Sequence, residues 1–99
     1  MKTKKLTYFI LFLSIFMEQK TKAQDWANLN KYQHENATLA IAEPGKNRIV
    51  FMGDSITEFW SPTDPDFFSG KPYINRGISG QTTPQMLVRF RADVIALKP

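Results

Sequence analysis

The longest apolar stretch in the chain runs from Leu6 to Met17 and carries no charge. Lys2, Lys4 and Lys5 precede it, and a polar segment from Glu18 to Lys22 follows and ends at Ala23. Basic, then apolar, then small is the layout of a secretory signal peptide. The apolar run is twelve residues, whereas a membrane span takes about 20. Cleavage is expected after Ala23, with Thr21 at the −3 position. Residues 1–23 then form the leader, and no stable membrane insertion is expected after it is removed.

Further along, the apolar positions change spacing. Trp26, Leu29 and Tyr32 recur every three residues, which predicts a helix from Asp25 to about Leu39 with Asp25 as its N-cap. Glu43 to Asn47 carries turn residues and closes a first segment, 24–47. Arg48 to Met52 is then a continuous apolar run, Ile49-Val50-Phe51-Met52. Its continuity suits a parallel strand buried on both faces. Ile56 to Trp60 predicts a short helix. Ser61 to Pro72 holds three prolines and reads as a loop, with one helical turn at Asp66-Phe67-Phe68. Tyr73-Ile74-Asn75 predicts a second short strand, and Arg76 to Gly80 a glycine-bearing loop. A second long helix starts near Thr83, with Pro84 in its first turn, or Thr82 and Gln85 forming a capping box. Leu87, Phe90, Val94 and Leu97 predict its apolar face. Strands alternating with helices imply an α/β fold on a parallel sheet, incomplete here because only two strands are present.

Charge alters the picture only through the leader. Residues 1–23 hold five lysines and one glutamate, and residues 24–99 hold eight basic and eight acidic residues. The mature part is neutral, so nothing in it points to nucleic acid or to an anionic surface. The chain has no cysteine, which excludes disulfides and thiolate metal ligands. Seventy-six residues after the leader, unstapled, lie near the limit for an independent core.

Candidate chemistry sits where the first strand ends. Gly53-Asp54-Ser55 follows it directly, and the C-terminal edge of an open parallel sheet is where ligands bind. A serine there can act as a nucleophile while its own N–H faces the oxyanion it creates. Equally, Asp54 or Ser55 could simply cap the next helix. The loop Asn75-Arg76-Gly77-Ile78-Ser79-Gly80 should open on the same rim. Gly80 there could admit a ligand to its N–H, or serve only the turn.

The two segments together resemble the first and second blocks of the GDSL/SGNH hydrolases. Ile49 to Thr57 resembles the first and Asn75 to Thr83 the second. The likeness covers residues 48–99 and is nearest to bacterial acylhydrolases similar to the platelet-activating-factor acetylhydrolase subunits. It implies the N-terminal part of a flavodoxin-like three-layer α/β/α fold. It also implies a serine ester hydrolase acting on short acyl esters, acetyl esters included, of carbohydrates or lipids. Under the resemblance Ser55 is the nucleophile and one backbone oxyanion donor. Gly80 is a second donor, and Gly53, Asp54 and Asn75 support them. No cofactor and no metal are implied. The only partner implied is a small-molecule ester substrate.

Two family blocks are missing from these 99 residues: Gly-x-Asn-Asp, which supplies a third oxyanion donor, and Asp-x-x-His, which supplies the base. Gln81 stands where many relatives have aspartate, which puts the polarity of the rim in doubt. Ile56 in place of leucine is a milder departure. His34 precedes the first strand and is expected to be a surface residue. Trp60, Phe67 and Phe68 could line an acyl pocket but are expected to be core. The 99 residues alone are expected to be inactive. The rival reading is a non-catalytic binding or interaction module, or a truncated product without a function of its own.

The leader reading is open to direct measurement. Mass spectrometry of exported material should find a protein beginning at Gln24, in the periplasm or the medium. An intact Met1 start in a membrane fraction would reject it.

Overall fold

The computed structural model describes residues 24–41 and 47–99. The leader, and the turn at Glu43 to Asn47 except for Asn47 itself, lie outside the described residues. The elements are α1 (Gln33–Ile41), β1 (Ile49–Gly53), α2 (Ser55–Glu58), α3 (Trp60–Thr63), α4 (Pro65–Phe68), β2 (Tyr73–Gly77) and α5 (Thr83–Asp93). A 3₁₀ turn, Ile95–Leu97, follows. Among the described residues no helix is long and apolar enough to cross a membrane.

β1 and β2 pair in parallel, with Ile49 opposite Tyr73 and Gly53 opposite Gly77. Both strands run further than the sequence predicts. β2 takes in Arg76 and Gly77, two residues assigned above to the loop, and the Ile78 N–H still bonds to the Gly53 carbonyl at 3.0 Å. The connection between the strands contains three short helical turns: the helix expected at Ile56 to Trp60 ends at Glu58, α3 follows it unpredicted, and α4 contains the turn expected at Asp66-Phe67-Phe68. Pro65 opens the last of these, a position where its missing N–H costs nothing.

Side chains alternate across the two strands, so each face of the pair has its own character. On one face Phe51 meets Trp60, Phe67, Phe68 and Tyr73. The Phe51 and Trp60 centroids stand 5.0 Å apart edge to face, and Trp60 stacks on Phe67 at 4.5 Å. These rings form the packing layer between the strands and the short helices, but Trp60, Phe67 and Phe68 are only half-buried, and Trp60 also lines an open groove. Edge-to-face contacts of this kind add about 0.5–1.5 kcal/mol each beyond area burial.

The opposite face carries Ile74 and Arg76, both buried. It is covered by the N-terminal segment and by α5. The predicted helix from Asp25 does not form there as one piece. Residues 26–32 lie in turns, and α1 begins only at Gln33. Asn28 is left-handed, with φ 57°, which stops helix propagation. Asp25 is therefore not a helix N-cap; its carboxylate instead accepts from the amides of Leu29 and Asn30 within the turns, each at 2.8 Å. Within the predicted stripe Trp26 and Leu29 are exposed, whereas Ala27 between them is buried.

Helix α5 differs most from its sequence pattern. Its capping box of Thr82 with Gln85 is present, with Pro84 in the first turn. The predicted apolar face, however, is split: Leu87 is 74% exposed and Phe90 is exposed, whereas Val94 is half-buried and Leu97 is buried. The buried line is Arg89, Asp93 and Leu97, at four-residue spacing, with Arg89 and Asp93 both 0% exposed. Arg89 Nη1 donates to Asp93 Oδ2 at 2.7 Å. Its Nε donates to Gln81 Oε1 at 2.7 Å and its Nη2 to the Arg76 carbonyl at 3.1 Å. Asp93 Oδ1 accepts from Asn36 Nδ2 at 2.7 Å. The pair can lie inside because each guanidinium nitrogen and both carboxylate oxygens have a partner.

Removing one member of such a pair leaves a buried charge without its counterion, at a cost of about 3–5 kcal/mol. Asp93→Ala should therefore shift the urea midpoint of the chain strongly downward. The double change Arg89→Met with Asp93→Leu should recover much of the loss. Equal losses in the single and double variants would show that packing, rather than charge, holds α5.

Candidate active site

β1 ends at Gly53, and the chain turns at once into α2. Asp54 is the N-cap, with its Oδ1 accepting the Ile56 N–H at 3.1 Å. The capping work expected of either Asp54 or Ser55 therefore falls to Asp54. Ser55 is the first residue of the helix and is half-buried. No other group among the described residues takes up its N–H or its hydroxyl. α2 is only four residues long, so its dipole is weak and the donor that counts is the Ser55 N–H itself.

The helical turn sits unusually close to the strands, and two glycines permit it. A Cβ at Gly77 would stand 2.6 Å from the Thr57 carbonyl carbon and would strike the Glu58 backbone. A Cβ at Gly53 would strike the Thr57 side chain. Asn75 locks the arrangement. Its Nδ2 donates to the Thr57 carbonyl at 2.5 Å and to Ser61 Oγ at 2.9 Å, and its Oδ1 accepts the Gly77 N–H at 2.8 Å. One side chain thus joins β2 to α2 and α3.

The second loop leaves β2 at Ile78, beside the turn that leaves β1. Because the strands are parallel and in register, both loops open from the same end of the pair. Gly80 has φ 75°, and nothing lies within 4 Å of where a Cβ would stand. Its conformation asks for glycine, and its surroundings leave open space. Among the described residues no group accepts the Gly80 N–H. The expected supports Gly53, Asp54 and Asn75 all lie around this end of the strands, each with a structural task.

Several neighbours carry no sequence signal. Glu58 Oε2 accepts from both the Ser79 N–H and Ser79 Oγ at 2.6 Å, and Glu58 Oε1 is paired with the Lys31 ammonium. The Lys31 and Ser79 bonds pull the Glu58 carboxyl down to about 2 from the ordinary 4.5. Tyr32 donates its hydroxyl to the Gly77 carbonyl at 2.5 Å, and burial raises its phenol above the ordinary value. The Arg76 guanidinium stacks on the Tyr32 ring, 4.6 Å from its centroid, and burial lowers its pKa. Lys31 and Tyr32 arrive from a distant segment, so their part here could not be read from spacing.

Gln81 belongs to the interior network instead of the rim. Its Nε2 donates to the Ala27 carbonyl at 2.6 Å while its Oε1 accepts from Arg89. His34 is exposed on α1 and lies along a groove beside β2 with Glu35, Thr38 and Leu39. Ile56, 83% exposed, joins Phe59, Trp60 and Thr63 along an open apolar groove on the outside of α2 and α3. Among the described residues no group of His, Cys, Asp and Glu could hold a metal ion.

No family model matches the chain, and no curated protein matches it. Solved structures do. A candidate acylhydrolase from Bacteroides fragilis is 59% identical over 77% of this chain, with a TM-score of 0.70. A GDSL-like lipase from Bacteroides thetaiotaomicron is 57% identical over 74% of this chain, with a TM-score of 0.67. The chain spans 36% of the length of each. Identity at that level over about three quarters of this chain places it in the GDSL/SGNH hydrolase family.

Proposed function

We propose that these residues form the nucleophile and oxyanion half of an exported serine ester hydrolase. The observation that carries the reading is a pair of free backbone donors, the N–H groups of Ser55 and Gly80, on adjacent loops at one end of a parallel strand pair. The Ser55 hydroxyl likewise has no partner among the described residues. Attack by Ser55 Oγ on an ester carbonyl would form a tetrahedral oxyanion between the two donors. Its collapse would expel the alcohol and leave an acyl-serine, which water then hydrolyses. A base must take the serine proton. His34 lies on α1 along the β2 groove, so that base comes from outside these 99 residues, as does the asparagine donor implied by the family resemblance. Short acyl esters of carbohydrates or lipids are the substrate class, and the apolar groove along Ile56, Phe59 and Trp60 suits an uncharged acyl or alkyl group.

Two preparations test this. The 24–99 segment should hydrolyse p-nitrophenyl acetate no faster than its Ser55→Ala variant, since an unassisted serine is a poor nucleophile. In a chimera, the matched third of the Bacteroides fragilis relative is replaced by the corresponding residues of this chain. It should be active, and Ser55→Ala should lower its kcat by about 10⁴-fold or more. A chimera indifferent to Ser55→Ala would overturn the nucleophile assignment. A 24–99 segment whose activity depends on Ser55 would overturn the need for an outside base.

A further inference from the structure

The Ser55 turn and the Gly80 loop come from different strands, yet their two N–H groups must converge on one oxygen. Donors in such a site work only within about 2.7–3.1 Å of the oxyanion. The strands alone do not set that separation, because two residues of loop, Ile78 and Ser79, lie between Gly77 and Gly80.

A single side chain spans the gap. Glu58 lies in the same helical turn as Ser55, and its Oε2 accepts from both the N–H and the hydroxyl of Ser79, each at 2.6 Å. Ser79 immediately precedes Gly80. With its amide and hydroxyl both held, only rotation about the Ser79 Cα–C bond remains to aim the Gly80 N–H, which lies on the next rigid peptide plane. The base of the helical turn is fixed as well, because the Glu58 backbone rests against Gly77 with no room for a Cβ. Lys31 holds the other carboxylate oxygen and so limits rotation of the Glu58 side chain.

We infer that Glu58 is a positioning residue that sets the separation and aim of the two backbone oxyanion donors by tying the Ser55 turn to Ser79. The inference rests on the ester-hydrolase reading above. The charge state suits the task. With its carboxyl pulled down to about 2, Glu58 remains an anionic acceptor wherever an esterase works. A carboxyl lowered on folding stabilises the fold above its ordinary range, and that contribution is lost only as pH falls from about 4.5 through about 2.

Two measurements test the clamp. In the full chain, Glu58→Ala should speed exchange of the Ser79 amide at neutral pH by about tenfold or more. The amides of the β1–β2 ladder should be unaffected. Glu58→Gln, which keeps an acceptor, should retain most of the protection. In the chimera, Glu58→Ala should lower kcat by about 10–100-fold with KM within about threefold, because a misplaced donor weakens the transition state alone. Glu58→Gln should restore most of that loss. A Ser79 amide indifferent to Glu58→Ala would overturn the clamp. So would an unchanged kcat in Glu58→Ala when Ser55→Ala abolishes activity. Activity that survives Ser55→Ala would strike the ester-hydrolase reading instead, and the exchange result would then judge the clamp by itself.

Discussion

A buried guanidinium is costly unless it is hydrogen-bonded and paired, and each of the three guanidinium nitrogens of Arg89 finds an acceptor by drawing separate parts of the chain onto itself. Asp93 supplies the counter-charge from one helical turn away, the Arg76 carbonyl approaches from the end of β2, and Gln81 approaches from the loop before α5. The demand then spreads. Asp93 engages Asn36 of α1, which also accepts from Arg76 Nε at 3.0 Å. Gln81 and Gln85 reach the carbonyls of Ala27 and Trp26. The N-terminal turns, α1, β2 and α5 are thus joined by directional bonds, where a larger domain would use a continuous apolar layer.

This network fixes β2 just before the loop that matters. Arg76 is clamped by its own carbonyl, by Asn36 and by the Tyr32 ring, and Gly77 is held through its carbonyl by the Tyr32 hydroxyl. On the other face of the same strand Asn75 holds the turns around α2. The Gly80 loop therefore leaves from a strand end secured on both faces. The Ser55 turn rests against that end through glycines too small to push it away. Above this support, no group among the described residues accepts the N–H of Ser55 or of Gly80.

The outward side of α5 is of a different kind. Leu87, Val88 and Phe90 are exposed, as is Ile95 beyond the helix. They form an apolar line that the described residues leave uncovered. Ile56 and Phe59 add a second exposed apolar region beside the Ser55 turn. Side chains of this size are costly in water, and the chain spans little more than a third of the length of the structures it resembles.

Local pattern carried much of the architecture. The run Ile49 to Met52, the turn residues after it, Tyr73 to Asn75 and the capping box at Thr82 mark the two strands and the start of α5. Those features depend on neighbours in sequence alone. The two blocks that place the chain in its family, around Ser55 and Gly80, were legible for the same reason. The inward face of α5 was not. Periodicity assigns the apolar side to the interior, but here Arg89 and Asp93 lie inside, because Gln81, Asn36 and the Arg76 carbonyl satisfy them. The break at Asn28, the fate of Gln81 and the clamp of Lys31, Glu58 and Ser79 were hidden in the same way. Each rests on partners more than twenty residues apart in the chain or, at Asn28, on a left-handed backbone angle that asparagine tolerates but does not impose. Sequence determined which segments form strands and which loops carry the serine and the glycine. Only the tertiary structure decided which charges are buried and what holds the two loops together, because a hydrogen bond between distant residues exists only once the chain has folded.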